Sequence, residues 1–242
     1  MGDLYALPYS PWSEKARWAL DHHGVAYREI QHVPMLGERR LRRAAKRRDG
    51  RVSVPLYVDA DGIFDDSFTI GRHADAVGKA APLFPPAEEA AIEAWNGKSE
   101  AILRAGRPKS LARMAGNPKV LRALLPSFVP GFLRGLMAPT AAMGVRHVMR
   151  KYAALAPADA DGVITRTLGE LEATLRGKDY ILGSFTFADI AMAATLQFVS
   201  PVDDRYVPVG GVRAAWEDPK LAERFASLVA WRDALYAKHR RG

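Results

Sequence analysis

Three prolines within the seven residues Ala80-Ala81-Pro82-Leu83-Phe84-Pro85-Pro86 divide this chain into two stretches with different hydrophobic periods. Proline has a fixed φ and no N–H, so neither a helix interior nor a central strand runs through such a segment. Upstream, short apolar runs with a period near two alternate with helical stretches; downstream, the apolar spacing is helical throughout. The chain therefore reads as a mixed α+β unit over residues 1–79, a linker over 80–87 and an all-helical unit over 88–242.

In the first unit, residues 3–7 read as a buried strand, followed by Pro8 and a turn. Ser10 suits a helix N-cap, because its hydroxyl accepts from the open N–H groups of the first turn, and Pro11 suits the first helical position. Ala16, Ala19 and Leu20 share one face, and His22-His23-Gly24 supplies the stop. Residues 27–32 read as a second strand. Residues 38–48, apolar only at Leu41, Ala44 and Ala45, read as a surface helix ended by Asp49-Gly50. Residues 52–58 alternate and are β-branched, so they read as a third strand. Asp59-Ala60-Asp61-Gly62 is then a hairpin turn in which Gly62 is free to take positive φ, and residues 63–65 return as a fourth strand. Ser67 is expected to cap a helix reaching about Val77.

In the second unit, residues 88–104 read as a helix with Ile92, Trp95, Ile102 and Leu103 inward. Pro126, Pro130 and Pro139 predict broken helix around residues 119–125 and 131–137, before a basic helix over 142–155. Residues 161–176 put Ile164, Leu168, Leu171 and Leu175 on one face. Thr186 and Asp189 have the spacing of a capping box. The helix after them (190–198) is apolar nearly all round and must be buried. Residues 219–237 read as a final helix.

The chain contains no cysteine, which removes disulfides, thiolate metal sites and a cysteine nucleophile together. With 48% hydrophobic residues it can bury a sizeable core, yet no window reaches the ~18 uninterrupted apolar residues of a spanning helix. Asp3 leads straight into a strand, so no signal peptide is expected and a cytoplasmic setting is. The six histidines show no metal spacing and no Gly-rich phosphate loop occurs, so neither metal nor nucleotide is expected. Net charge is +8, unevenly spread: residues 39–51 hold eight basic residues and one acid, and residues 101–158 hold ten Lys or Arg and no acid. Such blocks are solvated helix faces, or they attract small anions, membrane surface or nucleic acid. Residues 39–51 carry no aromatic side chain for base stacking, so a nucleic-acid partner is not expected.

Leu4-Tyr5, the run from Tyr9 through Ser10-Pro11-Trp12-Ser13 to Leu20, and Gly24-Val25-Ala26-Tyr27 together resemble the first βαβ of glutathione transferases. Ser10-Pro11-Trp12-Ser13 takes the place of the Cys-Pro-x-Cys of thioredoxin-like redox domains. The stretch is most similar to the serine-type classes, tau and zeta, in which a serine at this position activates glutathione. Val54-Pro55 stands where thioredoxin-like folds carry a cis-proline, and Asp65-Asp66-Ser67 precedes the next helix as in the family. Gly183 to Ile190 resembles the usual entry to the central helix of the family's C-terminal domain. The likeness covers residues 3–77 and 180–200 and is poor over 101–158.

The resemblance implies a thioredoxin-like α+β domain followed by an all-α helical bundle, working as a cytoplasmic homodimer in detoxification. It implies that the Ser10 hydroxyl stabilises the glutathione thiolate for attack on a small hydrophobic or anionic electrophile. Val54, before a cis-Pro55, pairs with the cysteinyl backbone; Asp66 takes the γ-glutamyl amino group, and Ser67, with the helix N-terminus, takes the carboxylate. The electrophile lies against Trp12 and residues 128–143, including Phe132, Leu133 and Met137. The tyrosine-type position is Ala6 here, Tyr5 points to the opposite face, and Tyr9 remains as an indirect donor. Absence of a cysteine at position 10 argues against the thiol-transferase reaction. Ser53 departs from the family's Lys or Gln, which leaves the glycyl carboxylate to Arg39, Arg40, Arg42 or Arg43. Two other readings stay open: a relative that keeps the fold without catalysis, and a basic module docking on RNA or anionic membrane.

Overall fold

Alternation along the first strand gives the N-terminal sheet two buried faces. In the computed structural model, which describes residues 1–125 and 129–240, β1 (Gly2–Ala6) sends Leu4 and Ala6 into one apolar cluster and Tyr5 into another. A parallel pair needs a crossover, and α1 (Pro11–His22) provides it between β1 and β2 (Tyr27–Gln31). β3 (Leu56–Val58) pairs antiparallel with β1 and with β4 (Ile63–Phe64), for a sheet order β2-β1-β3-β4. α1 and α3 (Ser67–Val77) pack on the Leu4 side; Leu41 of α2 (Glu38–Ala44) closes the Tyr5 side with Ile30, Val52 and Leu56. This is a thioredoxin-like arrangement.

The rest is helical: α4 (Glu89–Ala115), α5 (Pro118–Ala123), α6 (Arg134–Tyr152), α7 (Ala160–Thr174), α8 (Phe187–Thr195), α9 (Pro219–Arg224) and α10 (Ala226–His239). Every residue of α8 is buried, as its all-round apolar character requires. Its capping box is formed: Asp189 accepts from Thr186 N at 2.9 Å and from Ile181 N at 2.9 Å. The core is continuous from β1 through α1 and α3 into α4, α7 and α8. Trp18 of α1 crosses to the chain's end, its ring 4.3 Å from that of Tyr236 and its indole N–H donating to His239 O at 3.3 Å.

Several expectations give way to tertiary packing. α4 does not stop at Arg104 but runs through Pro108 to Ala115, because Leu111 and Met114 on its last turns are buried. Their burial outweighs the ~3 kcal/mol a mid-helix proline costs. α6 likewise runs through Pro139, which lies near its start and forfeits one backbone bond. α2 ends at Ala44, with Lys46 at φ 51° just beyond, so residues 45–48 are not helical. The third strand is confined to residues 56–58, and the Val54-Pro55 bond just before it is cis. Gly62 does not take positive φ; instead Asp59 Oδ1 accepts from Asp61 N and Gly62 N and pins the turn. The final helix breaks at Phe225, whose backbone leaves the helical region (φ −114°, ψ 37°) as its ring is buried. Asp66, not Ser67, is the N-cap of α3: it lies in extended backbone and its Oδ1 accepts from Phe68 N and Thr69 N, placing Ser67 inside the first turn.

Candidate active site

A cavity of 410 Å³ opens where the β1–α1 turn meets α4 and α6. Leu7, Tyr9, Ser10 and Trp12 line one side, with Val54 and Met35 beside them. Leu111 and Met114 of α4, Val145 and Val148 of α6, Phe198 and Trp216 form an apolar wall opposite. An apolar cleft with a few convergent polar groups is the usual form of a small-molecule site.

Ser10 sits at the mouth of α1 because the chain leaves β1 through Pro8 and enters the helix at Pro11. Its backbone is extended (φ −81°, ψ 126°), and its Oγ accepts from Ser13 N at 3.5 Å, a long bond. Ser13 Oγ in turn accepts from Leu7 N at 3.1 Å, which ties the turn to the strand. The Ser10 hydroxyl therefore keeps its proton for another acceptor. The helix N-terminus behind it adds open N–H donors and positive potential. Tyr9 also lines the cavity, its ring 6.1 Å from that of Trp216, and burial pushes its hydroxyl up to about 12, so it stays protonated at neutral pH.

Trp12 is held from the helical side. Its indole N–H donates to Glu100 Oε2 at 2.9 Å, while Glu100 Oε1 accepts from Lys15 Nζ at 2.7 Å. Lys15 Nζ also reaches Asn96 Oδ1 and Ser99 Oγ, both at 3.4 Å, inside the contact of α1 with α4. Burial pushes the Glu100 carboxyl up, but the Lys15 charge and the bonds from Lys15 and Trp12 outweigh it, and the group stays below its ordinary value. The guanidinium of Arg107 stacks over Trp12, 4.1 Å from its ring centre.

The other expected residues divide. Val54 precedes a cis peptide bond, as expected, and lines the cavity; Pro55 is buried behind it and does not. Asp66 and Ser67 lie outside the lining, at the start of α3: Asp66 is exposed with Oδ1 used in capping, and Ser67 is buried. Of the residues expected to face an electrophile, Trp12 lines the cavity, as do Thr140, Ala141 and Met143 of the segment 128–143, whereas Phe132, Leu133 and Met137 are not in the lining and Phe132 is 84% exposed. Phe128 lies outside the described residues. Arg39, Arg40, Arg42 and Arg43 are outside the lining as well; Arg40 stacks on Tyr5 and Arg42 donates to Gly50 O.

Sequence reasoning did not single out Arg107, Tyr152, Glu100, Phe198 or Trp216. One signal was available: Arg107, Leu111 and Met114 recur at i, i+4 and i+7, one helix face carrying a cation among apolar residues. Histidine spacing also hid a spatial group, since Asp59, Asp61 and His73 bring ligand-type atoms within 4.8 Å of one another. His73 Nε2 lies 2.8 Å from Asp59 Oδ2, and Asp59 Oδ1 is engaged in the turn, so hairpin bonding accounts for most of it. Among the described residues, no helix is long and apolar enough to cross a membrane.

Residues 4–77 match the glutathione S-transferase N-terminal domain, and residues 144–234 match the glutathione S-transferase C-terminal domain. No curated protein matches the sequence. Among solved structures, a glutathione S-transferase of Ceriporiopsis subvermispora in complex with glutathione superposes with a TM-score of 0.59 at 21% identity, over 95% of this chain and 97% of that one. A glutathione transferase of Phanerochaete chrysosporium gives 0.64 at 16% identity, over 100% and 98%. A glutathione S-transferase of Methylobacillus flagellatus with glutathione bound gives 0.57 at 15% identity, over 98% and 95%. These likenesses carry the fold, and the two domain matches flank a cavity built where they face each other: the chain belongs to the glutathione S-transferase family.

Proposed function

We propose that the protein is a serine-type glutathione transferase in which Ser10 donates a hydrogen bond to the glutathione sulfur. The observation that carries this reading is the Ser10 hydroxyl at the cavity wall, free to donate and backed by the α1 N-terminus. A free thiol has a pKa of about 8.5, and lowering it by two units takes roughly 2.7 kcal/mol. A charge-assisted bond of about 1.5–3 kcal/mol and a helix end of about 0.3–1 kcal/mol supply that much. The thiol proton goes to solvent, the thiolate forms a carbon–sulfur bond, and the leaving group departs with its electron pair. Ser10 is not covalently modified.

In this reading Val54 offers its backbone to the cysteinyl unit, and Asp66 and Ser67 with the start of α3 take the γ-glutamyl end. Residues 1–79 form the glutathione-binding domain, 80–87 the linker and 88–242 the helical domain that contributes the electrophile wall. A two-fold dimer and a cytoplasmic setting belong to the same reading, and sedimentation tests the former. The decisive experiment compares wild type with Ser10→Ala on chlorodinitrobenzene, beside calorimetric binding of glutathione. Loss of about 10- to 100-fold in kcat/KM, with binding held within a few-fold, is expected. Unchanged turnover would remove Ser10 from the mechanism, and glutathione binding without turnover by the wild type would leave a binding protein.

A further inference from the structure

Arg107 is a half-buried cation that no carboxylate contacts directly among the described residues. Its guanidinium lies between two rings, 4.1 Å from the centre of Trp12 and 4.0 Å from that of Tyr152, and its side chain lines the cavity that Ser10 also lines. Among the described residues, no hydrogen bond or carboxylate contact of this guanidinium is found. The acid acting on it is Glu100, whose oxygens are engaged by Lys15, Trp12 and Arg104. Burial brings Arg107 down to about 10, so it remains charged at neutral pH. Arg51 lies over the same Tyr152 ring at 5.4 Å and, with Arg104, adds a lesser repulsion to the burial that chiefly lowers Arg107, against the opposing pull of Tyr152 and Glu100.

A partly desolvated guanidinium whose N–H groups have no protein acceptor gains when a ligand supplies one. Contact with two rings restrains the guanidinium while leaving its N–H groups without a protein acceptor, and a guanidinium with free N–H groups suits bidentate binding of a planar anion. On α4 the same face continues with Leu111 and Met114 into the apolar wall. We propose that Arg107 selects acceptors that pair an apolar body with a carboxylate or sulfonate, which it binds while the body lies against Leu111 and Met114. This deepens the transferase reading and rests on it. Glutathione also carries carboxylates, but the position of Arg107 on the helical wall assigns it to the acceptor.

The test uses a matched pair of acceptors, a chloro-dinitrobenzoate and its methyl ester, each rate corrected for uncatalysed reaction with glutathione. In both, the sulfur–carbon bond forms at the same ring carbon and chloride leaves. In Arg107→Met the ratio of kcat/KM for the acid over the ester falls about 10- to 100-fold, Arg107→Lys keeps part of it, and the KM for glutathione with the ester stays within about twofold. Anilinonaphthalene sulfonate and neutral phenylnaphthylamine report binding without turnover: the sulfonate weakens in Arg107→Met and the neutral dye does not. An unchanged acid-to-ester ratio overturns the proposal. A glutathione KM that rises equally with both acceptors also overturns it, by moving the guanidinium to the tripeptide. Should the wild type turn over neither acceptor, the transferase reading falls while the dye pair still decides Arg107. Should the variants fail to fold, wild-type preference for the acid that fades with added salt supports the proposal, and preference for the ester refutes it.

Discussion

Replacing Lys15 with methionine removes a fully buried ammonium from the contact between α1 and α4. The side chain of Lys15 is 0% exposed and that of Glu100 is 24% exposed, so the two halves of this pair differ in what water can do when the partner is lost. Breaking a buried pair costs about 3–5 kcal/mol, because the remaining charge is left uncompensated. In Lys15→Met the carboxylate keeps its Trp12 bond and is partly hydrated, which reduces the loss to about 2–3 kcal/mol. In Glu100→Gln the ammonium stays sealed with only neutral acceptors, Asn96 and Ser99, and the full ~3–5 kcal/mol applies. Removing both charges costs less than the sum of the single changes, with coupling of about 2–3 kcal/mol. Urea unfolding with an unchanged m-value measures each cost, and a loss of about 3 kcal/mol lowers Tm by roughly 6–12 °C at this chain length. The low Glu100 pKa adds stability that is present above about pH 4.3 and is lost as pH falls through the folded value. Wild type and Lys15→Met therefore converge in acid. Additive single costs, or a greater cost for Lys15→Met than for Glu100→Gln, would refute the reasoning.

Asp189→Ala leaves the buried N–H groups of Ile181 and Thr186 open, at about 2–4 kcal/mol. Burial pushes the Asp189 carboxyl up to about 6 despite those bonds, so the folded state binds the proton more readily and wild-type stability falls as pH rises from about 4 to 6. The Tm gap to Asp189→Ala should therefore narrow over that range; a widening gap has the wrong sign. A Cβ on Gly71 would lie 2.5 Å from Phe187 Cε2, whereas one on Gly97 meets nothing within 4 Å. Calorimetry should show Gly71→Ala losing about 1–3 kcal/mol and Gly97→Ala gaining about 0.5–1 kcal/mol. Tyr9, still protonated at neutral pH, should leave the pH midpoint of kcat/KM unmoved in Tyr9→Phe.

Much of the architecture was legible because local rules and packing agree. Ser10 and Pro11 at the start of α1, the Thr186–Asp189 box and the burial of α8 stand where the spacing put them, and the cis bond at Val54-Pro55 stands where the family resemblance implied it. Errors gathered where packing overrides a local signal, at Pro108, at Pro139 and at Phe225. The cap of α3 was misassigned by one residue because Asp66 and Ser67 both cap well, and only the extended backbone at Asp66 selects it.

The candidate site splits along the same line. Sequence alone determined the Ser10 half, because a strand, a turn and a capped helix are contiguous, and their geometry follows from covalent order and hydrogen-bonding rules. Tertiary structure alone decided the opposite wall. Arg107, Tyr152 and Trp12 come from three separate elements, and Phe132, apolar though it is, was left in solvent. Which side chains meet across a cleft depends on how α4 and α6 dock on α1. That docking is set by summed burial over the whole core, which no single stretch of residues encodes.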